Sequence, residues 1–313
     1  MAYISVKEAA EKWAINETLV RRYCRQGRIP RAKQIDGLWM IPENAKKPGK
    51  VEVVSKPKEL PPLAKKLKNQ KKKKNYHGLY DYVVINLTYS SCRMASNRLT
   101  RGQVETIFKK GKVNCSFEPL KVSDLIETLN HCMCVDYVLD HIQEPLTQKF
   151  IQNLHYMLMI GTIDERKERV TPGEYRTDRI KPRNRRLLPA KKINSSLGEL
   201  LREYEARKRV DRAIILDFHV RFEQIFPFED GNGRVGRLIM FKECLRHDVM
   251  PFILDDKSRT RYLAGIQDWT SDRWTLTEVV QDAQDRFEAQ VELQKLAASR
   301  VIMMPDMYEE DDV

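Results

Sequence analysis

Two apolar runs at helical spacing, Leu216 to Ile225 and Leu238 to Leu245, are separated by Phe226-Pro227-Phe228-Glu229-Asp230-Gly231-Asn232-Gly233-Arg234-Val235-Gly236-Arg237. Pro227 ends the first pattern and Gly231-Asn232-Gly233 breaks it before the second resumes, so the segment is predicted to fold as helix, tight loop, helix. Glycines let backbone N–H groups converge with no Cβ in the way, and a helix N-terminus adds partial positive charge. Such a loop suits phosphate. Arg234 and Arg237 lie three apart and can face one ligand. Asp230 is a hard oxygen donor suited to Mg²⁺ that bridges phosphate oxygens. The competing reading is a plain helix-loop-helix turn with solvated arginines.

The rest of the chain is consistent with a mainly α fold. From about His77, apolar periodicity recurs in Leu120 to His141, Pro145 to Ile160, Leu197 to Ala206, Ala213 to Phe226, Arg234 to Arg246 and Leu276 to Leu296, and strand-like alternation is scarce. With 313 residues and 42% apolar content the chain can hold two domains. Its net charge of +12 calls for a polyanionic partner or ligand. No stretch reaches about 18 consecutive apolar residues and no charged leader precedes an apolar segment, so no membrane span and a cytoplasmic location are expected. The six cysteines form neither a disulfide framework nor a zinc spacing, and they read as buried thiols.

Residues 1–48 read as a separate unit. Ser5 can cap Val6 to Trp13, Asn16 can cap Glu17 to Gln26, and Gly27 stops the second helix. Ala32 to Ile35 and Leu38 to Ile41 flank Asp36-Gly37, a strong hairpin signal. Residues 49–76 carry Pro57, Pro61-Pro62 and a lysine run from Lys65 to Lys74, which reads as an unstructured basic tether. Residues 77–295 form the main helical domain, and the acidic stretch 296–313 has no core-forming pattern.

Two resemblances attach to these segments. The loop segment resembles the signature of the Fic family, His-Pro-Phe-x-Asp-Gly-Asn-Gly-Arg-x-x-Arg, with Phe226 in place of the histidine. That family transfers AMP from ATP onto hydroxyl side chains of a protein target or of itself. The resemblance implies that Asp230 holds Mg²⁺, that Gly231, Asn232 and Gly233 line an anion hole, that Arg234 meets the inner phosphates and that Arg237 reaches the γ-phosphate of ATP. The histidine is the family's general base, and a phenyl ring has no nitrogen to accept a proton. The only nearby substitute, His219, lies seven residues upstream and reads as structural. Many Fic proteins also carry an inhibitory helix, Ser/Thr-x-x-x-Glu-Gly/Asn, whose glutamate occupies the second arginine. The register Ser91-Cys92-Arg93-Met94-Ala95-Ser96 fits it with Ala95 at the glutamate position, which leaves Arg237 free for phosphate. Thr171-Pro172-Gly173-Glu174-Tyr175-Arg176 is similar to the start of the family's flap, a β-hairpin that receives the target, and Glu174, Tyr175 and Arg176 are its candidate residues.

The N-terminal unit resembles the small winged helix-turn-helix of excisionase and MerR-type proteins. Its DNA candidates are Arg21, Arg22 and Arg25 on the second helix, with Arg28, Arg31 and Lys33 towards the wing. The alternative is a protein-docking module with a solvated basic face. So small a reader needs a second copy for tight binding, which implies a homodimer. Two functions remain open: an ATP- and DNA-binding regulator with impaired transfer, and a residually active adenylyltransferase.

Overall fold

The computed structural model describes the chain apart from residues 1, 26–28, 36, 49–58, 74–76, 114–118, 179–186 and 303–313, and apart from the side chains of 22, 25 and 297–302. The chain divides into two compact units, residues 1–56 and 57–313. Expectations placed on Gly27, Arg28, Asp36, Cys115 and residues 303–313 of the acidic stretch fall outside the described residues, whereas the backbone of 296–302 continues the last helix of the second unit.

The first unit is two helices against a three-stranded antiparallel sheet. The strands are β1 (Tyr3–Ser5), β2 (Lys33–Ile35) and β3 (Leu38–Pro42), ordered β1-β3-β2. Ser5 caps α1 (Val6–Trp13) through a reciprocal pair with Glu8, and Asn16 Oδ1 accepts from Thr18 N at 2.6 Å ahead of α2 (Glu17–Arg25). Pairing of Ile35 with Leu38 leaves a two-residue hairpin loop, and Gly37 in it has φ +79°. A left-handed residue there is what the sheet twist requires. Val6, Ala9, Trp13, Val20, Tyr23, Ile29 and Ile41 form the core.

Helices are the only regular secondary structure among the described residues of the second unit. Its helices are α3 (Pro62–Lys72), α4 (Leu79–Met94), α5 (Arg101–Lys110), α6 (Val122–Asp140), α7 (Gln148–Met159), α8 (Ile163–Arg166), α9 (Ala190–Glu205), α10 (Arg212–Ile225), α11 (Asn232–Arg246), α12 (Arg259–Gln267) and α13 (Trp274–Ile302). Helix α11 is the central one: Val235, Leu238, Ile239, Phe241 and Cys244 are all essentially buried, and it packs against α4, α6, α7 and α10. The five described cysteines are buried thiols. No described helix is long and apolar enough to cross a membrane.

Two expectations are corrected. The tether contains an ordered helix, α3, because Ala64 and Leu67 share a face that is fully buried in the domain core. Its lysines are not merely solvated either: Lys71 binds Asp140 at 2.7 Å and the Asp136 carbonyl at 3.0 Å, at the C-terminal end of α6 where carbonyl dipoles favour cations. Residues Thr171 to Arg176, read as the start of a β-hairpin, form no strand; turns, a bond from Gly173 N to His155 and bonds from Thr171 N to Glu229 and Arg176 N to the Pro227 carbonyl hold their backbone instead.

Candidate functional site

The signature loop joins α10, capped by Asp211 Oδ1 on Ile214 N at 3.0 Å, to α11. Phe226 ends α10 in the left-handed region, φ 50° and ψ 63°, with its N–H on the Phe222 carbonyl at 3.0 Å. Pro227 has no N–H with which to continue the helix. Phe228 turns fully inward and stacks on His155 with ring centroids 3.8 Å apart and planes 4° apart. Asn232 closes the loop from the far side: its Oδ1 accepts from Phe228 N at 2.9 Å and its Nδ2 donates to Phe228 O at 2.8 Å. Gly231, the residue before it, has φ +77° and lies where a Cβ would press on Leu158 and Met159 at 3.3 Å. Gly236 admits the His219 ring, which would lie 2.8 Å from any Cβ there.

The two signature arginines are both buried and both already bonded. Arg234 donates to Glu127 at 2.8 Å and to Asp230 at 2.9 Å, with its Nη2 also 3.9 Å from the Met159 sulfur. Burial raises the Glu127 pKa and Arg234 pulls it back. Arg237 donates from Nε to Ser91 Oγ at 3.0 Å and from Nη2 to the Ser91 carbonyl at 2.9 Å. The expectation that Arg237 is free for phosphate is therefore corrected: with alanine at 95, the serine one turn earlier on α4 takes the guanidinium. Ala95 itself is the exposed C-cap of α4.

Residues 171–176 are laced to the loop. Gly173 N donates to His155 Nδ1 at 2.9 Å, so that nitrogen is the acceptor and Nε2 carries the proton toward the Asp230 carbonyl, 3.2 Å away. Burial holds the His155 pKa down to about 4, which keeps the ring neutral as this pairing needs. Arg176 donates from its backbone N to Pro227 O at 2.8 Å, and from its side chain to Phe226 O at 2.7 Å and Leu188 O at 2.6 Å. Tyr175 reaches Gln148 at 3.2 Å and packs on Phe228, whereas Glu174 is exposed.

His219 is no substitute base. It is 1% exposed, its Nε2 lies 2.5 Å from the Tyr262 hydroxyl, and burial lowers its pKa to about 3. His131 on α6 is buried likewise, bonded through Nδ1 to Thr88 at 3.0 Å, with its pKa also held near 3, first by burial. Both rings stay neutral when folded but can take a proton near pH 6.5 when unfolded. Their stabilisation is therefore complete above about pH 6.5 and is lost as pH falls toward about 3. Asp81 and Glu127, raised by burial, act with the opposite sign at lower pH. The urea midpoint should accordingly be lower at pH 5.5 than at pH 7, and an equal or higher midpoint would refute the assignment of neutral rings.

Sequence reasoning missed Glu127 and His155. Glu127 lies 107 positions from Arg234, and nothing in its local pattern marks it; His155 reads as one more position on a buried helical face. In the first unit, Arg21 is exposed and pairs with Glu17 at 2.8 Å, Lys33 sits 4.5 Å above the Tyr3 ring, and Arg31 is exposed at φ 62°. Arg22 and Arg25 lie on α2 with side chains outside the described residues.

With this geometry in hand, comparison identifies the class. Residues 145–244 match the Fic/DOC family model, so the chain contains a Fic/DOC domain that spans α7 to most of α11. The matched residues include the loop between α10 and α11 and both arginines behind it. The structure is similar to a Fic domain containing signaling protein from Bacteroides thetaiotaomicron, with TM-score 0.60 at 18% identity over 75% of this chain and 97% of that one. It is also similar to Fic-1 from C. elegans, with TM-score 0.56 at 16% identity over 75% and 72% of the two chains. At such identities the likeness is one of fold. No curated protein matches the chain.

Proposed function

We propose that this protein binds ATP with Mg²⁺ at the loop between α10 and α11, transfers AMP poorly or not at all, and binds DNA through its first unit. The observation that carries the reading is Phe226: the position from which the family draws its proton acceptor holds a hydrocarbon ring, while the loop that follows is fully braced. His155 and His219, each bonded and neutral, have no spare basicity to offer.

The residues fit the ligand set in a particular way. Among the described residues there is no cluster of three acidic, histidine or cysteine side chains that could hold a free metal. Asp230 is 56% exposed beside the loop, and Mg²⁺ commonly takes one protein carboxylate when phosphates and waters supply the rest. Asp230 would therefore hold a Mg²⁺ that arrives with ATP, and the ion would neutralise phosphate charge. The N–H groups opening α11 would meet a phosphate with the helix dipole behind them. Arg234 keeps Asp230 in place, and Arg237 meets a phosphate only by exchanging its bonds to Ser91.

Calorimetry tests the binding half. Mg-ATP should bind the parent, and Asp230→Ala should weaken binding at least tenfold; no heat, or equal affinity in the variant, sinks the reading. For DNA, anisotropy of a labelled duplex should rise on addition of protein, with affinity falling steeply from 50 to 200 mM salt as phosphate contacts require. A duplex that stays unbound at low salt would leave the first unit as a protein-docking module.

A second reading, residual adenylyltransferase activity, is favoured by the retained loop and arginines. Positioning and electrostatics survive loss of a base, so a slow reaction remains open to this site.

A further inference from the structure

Many surface cations of the second unit are answered by an acid beside them: Arg101 pairs with Glu105, Arg221 with Glu203 and Arg261 with Glu278. Six that are not fall into two groups. Lys65, Lys72 and Lys73 lie on α3 or at its end, and Arg207, Lys208 and Arg209 follow α9. All six are exposed, and none of their side chains forms an ion pair or hydrogen bond with a described residue. The fold brings both groups to one end of the helical unit. Pro61 and Leu63, at the start of α3, line a hollow with Leu245, Asp248 and Val249 at the end of α11. In the same last turn, Arg246 donates to both carboxylate oxygens of Glu205, the last residue of α9, at 2.6 and 2.8 Å. The end of α11 is therefore flanked by α3 and by the loop after α9. Several acids there are already spent: Asp140 on Lys71, Glu205 on Arg246 and Glu203 on Arg221. Asp248 is the exposed acid of the hollow itself.

We propose that this end of the second unit is a further DNA surface, which holds the phosphate backbone of a duplex without reading its bases. Lys65 and Lys72 are seven residues apart, so they share a face and stand about 10 Å apart along the axis. That length of duplex carries about six phosphates, so each cation can take its own. A lipid surface fits less well. A helix that enters a membrane interface sets large apolar side chains beside its lysines. Here Ala64 and Leu67 are buried in the core, and neither α3 nor residues 206–210 expose a large apolar side chain.

The identity of the polyanion rests on the DNA reading of the first unit; the role given to the helical unit goes beyond it. One chain joins the two units, so a duplex held by the first is concentrated around the second. Contacts too weak to bind alone then add to the whole.

Binding of a labelled duplex by the full chain, followed across a salt series, tests it. One variant combines Lys65→Gln, Lys72→Gln and Lys73→Gln, and a second combines Arg207→Gln, Lys208→Gln and Arg209→Gln. Each should bind at least about tenfold more weakly and flatten the slope of log affinity against log salt by about 2 to 3, the share of three phosphate contacts. A control, Lys121→Gln with Arg166→Gln and Lys167→Gln, removes as much charge near the start of α6 and should leave the slope in place. Circular dichroism would show all three folded. Triple variants that keep the parent's slope, or a control that flattens it as much, overturn the inference, and so do phosphatidylserine vesicles that displace the duplex. Arg21→Gln with Lys33→Gln separates the two claims. If it changes nothing while the triple variants lose binding, the DNA reading of the first unit falls and this surface stands. If it abolishes binding that the triple variants retain, the reverse holds. A parent that binds no duplex at low salt removes both.

Discussion

Phe226→Tyr should leave AMP transfer where it is, and Phe226→His should raise incorporation of labelled AMP by about 10² to 10⁴-fold, the usual contribution of a positioned general base. A phenol is too weak a base near neutral pH to accept a proton from an attacking hydroxyl, whereas an unperturbed imidazole titrates near 6.5. The backbone favours the change, because position 226 sits at φ 50°, a region that histidine enters more readily than phenylalanine. Arg176 fixes the carbonyl of the same residue, so the new ring would be attached to a held backbone. Gel autoradiography of both variants with the parent is sufficient. If histidine gives no more label than tyrosine, the site has lost more than its base, and binding alone remains.

The second large effect is on stability. Arg234→Met should cost about 3–5 kcal/mol, the penalty for stranding one partner of a buried ion pair. Arg234 and Glu127 side chains are 3% and 14% exposed, and burial already presses on the Glu127 carboxylate. Asp230, 56% exposed, can turn to water when its partner goes, so the loss falls mainly on Glu127. Glu127→Gln in the same background should recover part of the deficit, because a neutral amide needs no cation. Urea unfolding of the single and double variants measures both terms. A loss below about 1 kcal/mol, or a double variant that adds the two single costs, would show that the pair does not hold α6 to α11.

The sequence made some of this legible and hid the rest for identifiable reasons. The helix-loop-helix could be read because proline and glycine act locally, and the hairpin of the first unit because Asp36-Gly37 admits few other turns. Helix α3 was hidden by its lysines: composition argued for a tether, but Ala64 and Leu67 had a core to enter, and the acidic end of α6 was waiting for Lys71. The state of the arginines was hidden for a different reason. Their partners, Glu127 and Ser91, lie more than 100 residues away, and no local pattern announces a contact made by folding. Ala95 was correctly seen as lacking a carboxylate, yet its absence did not release Arg237, because a neutral hydroxyl and a carbonyl on the same helix already satisfy the guanidinium.

Asn232 spends both edges of its amide on Phe228, so the loop is held in shape by bonds of its own. Through Arg234 and Glu127 the same loop is tied to α6, so its stiffness is shared by two helices that lie far apart in the sequence.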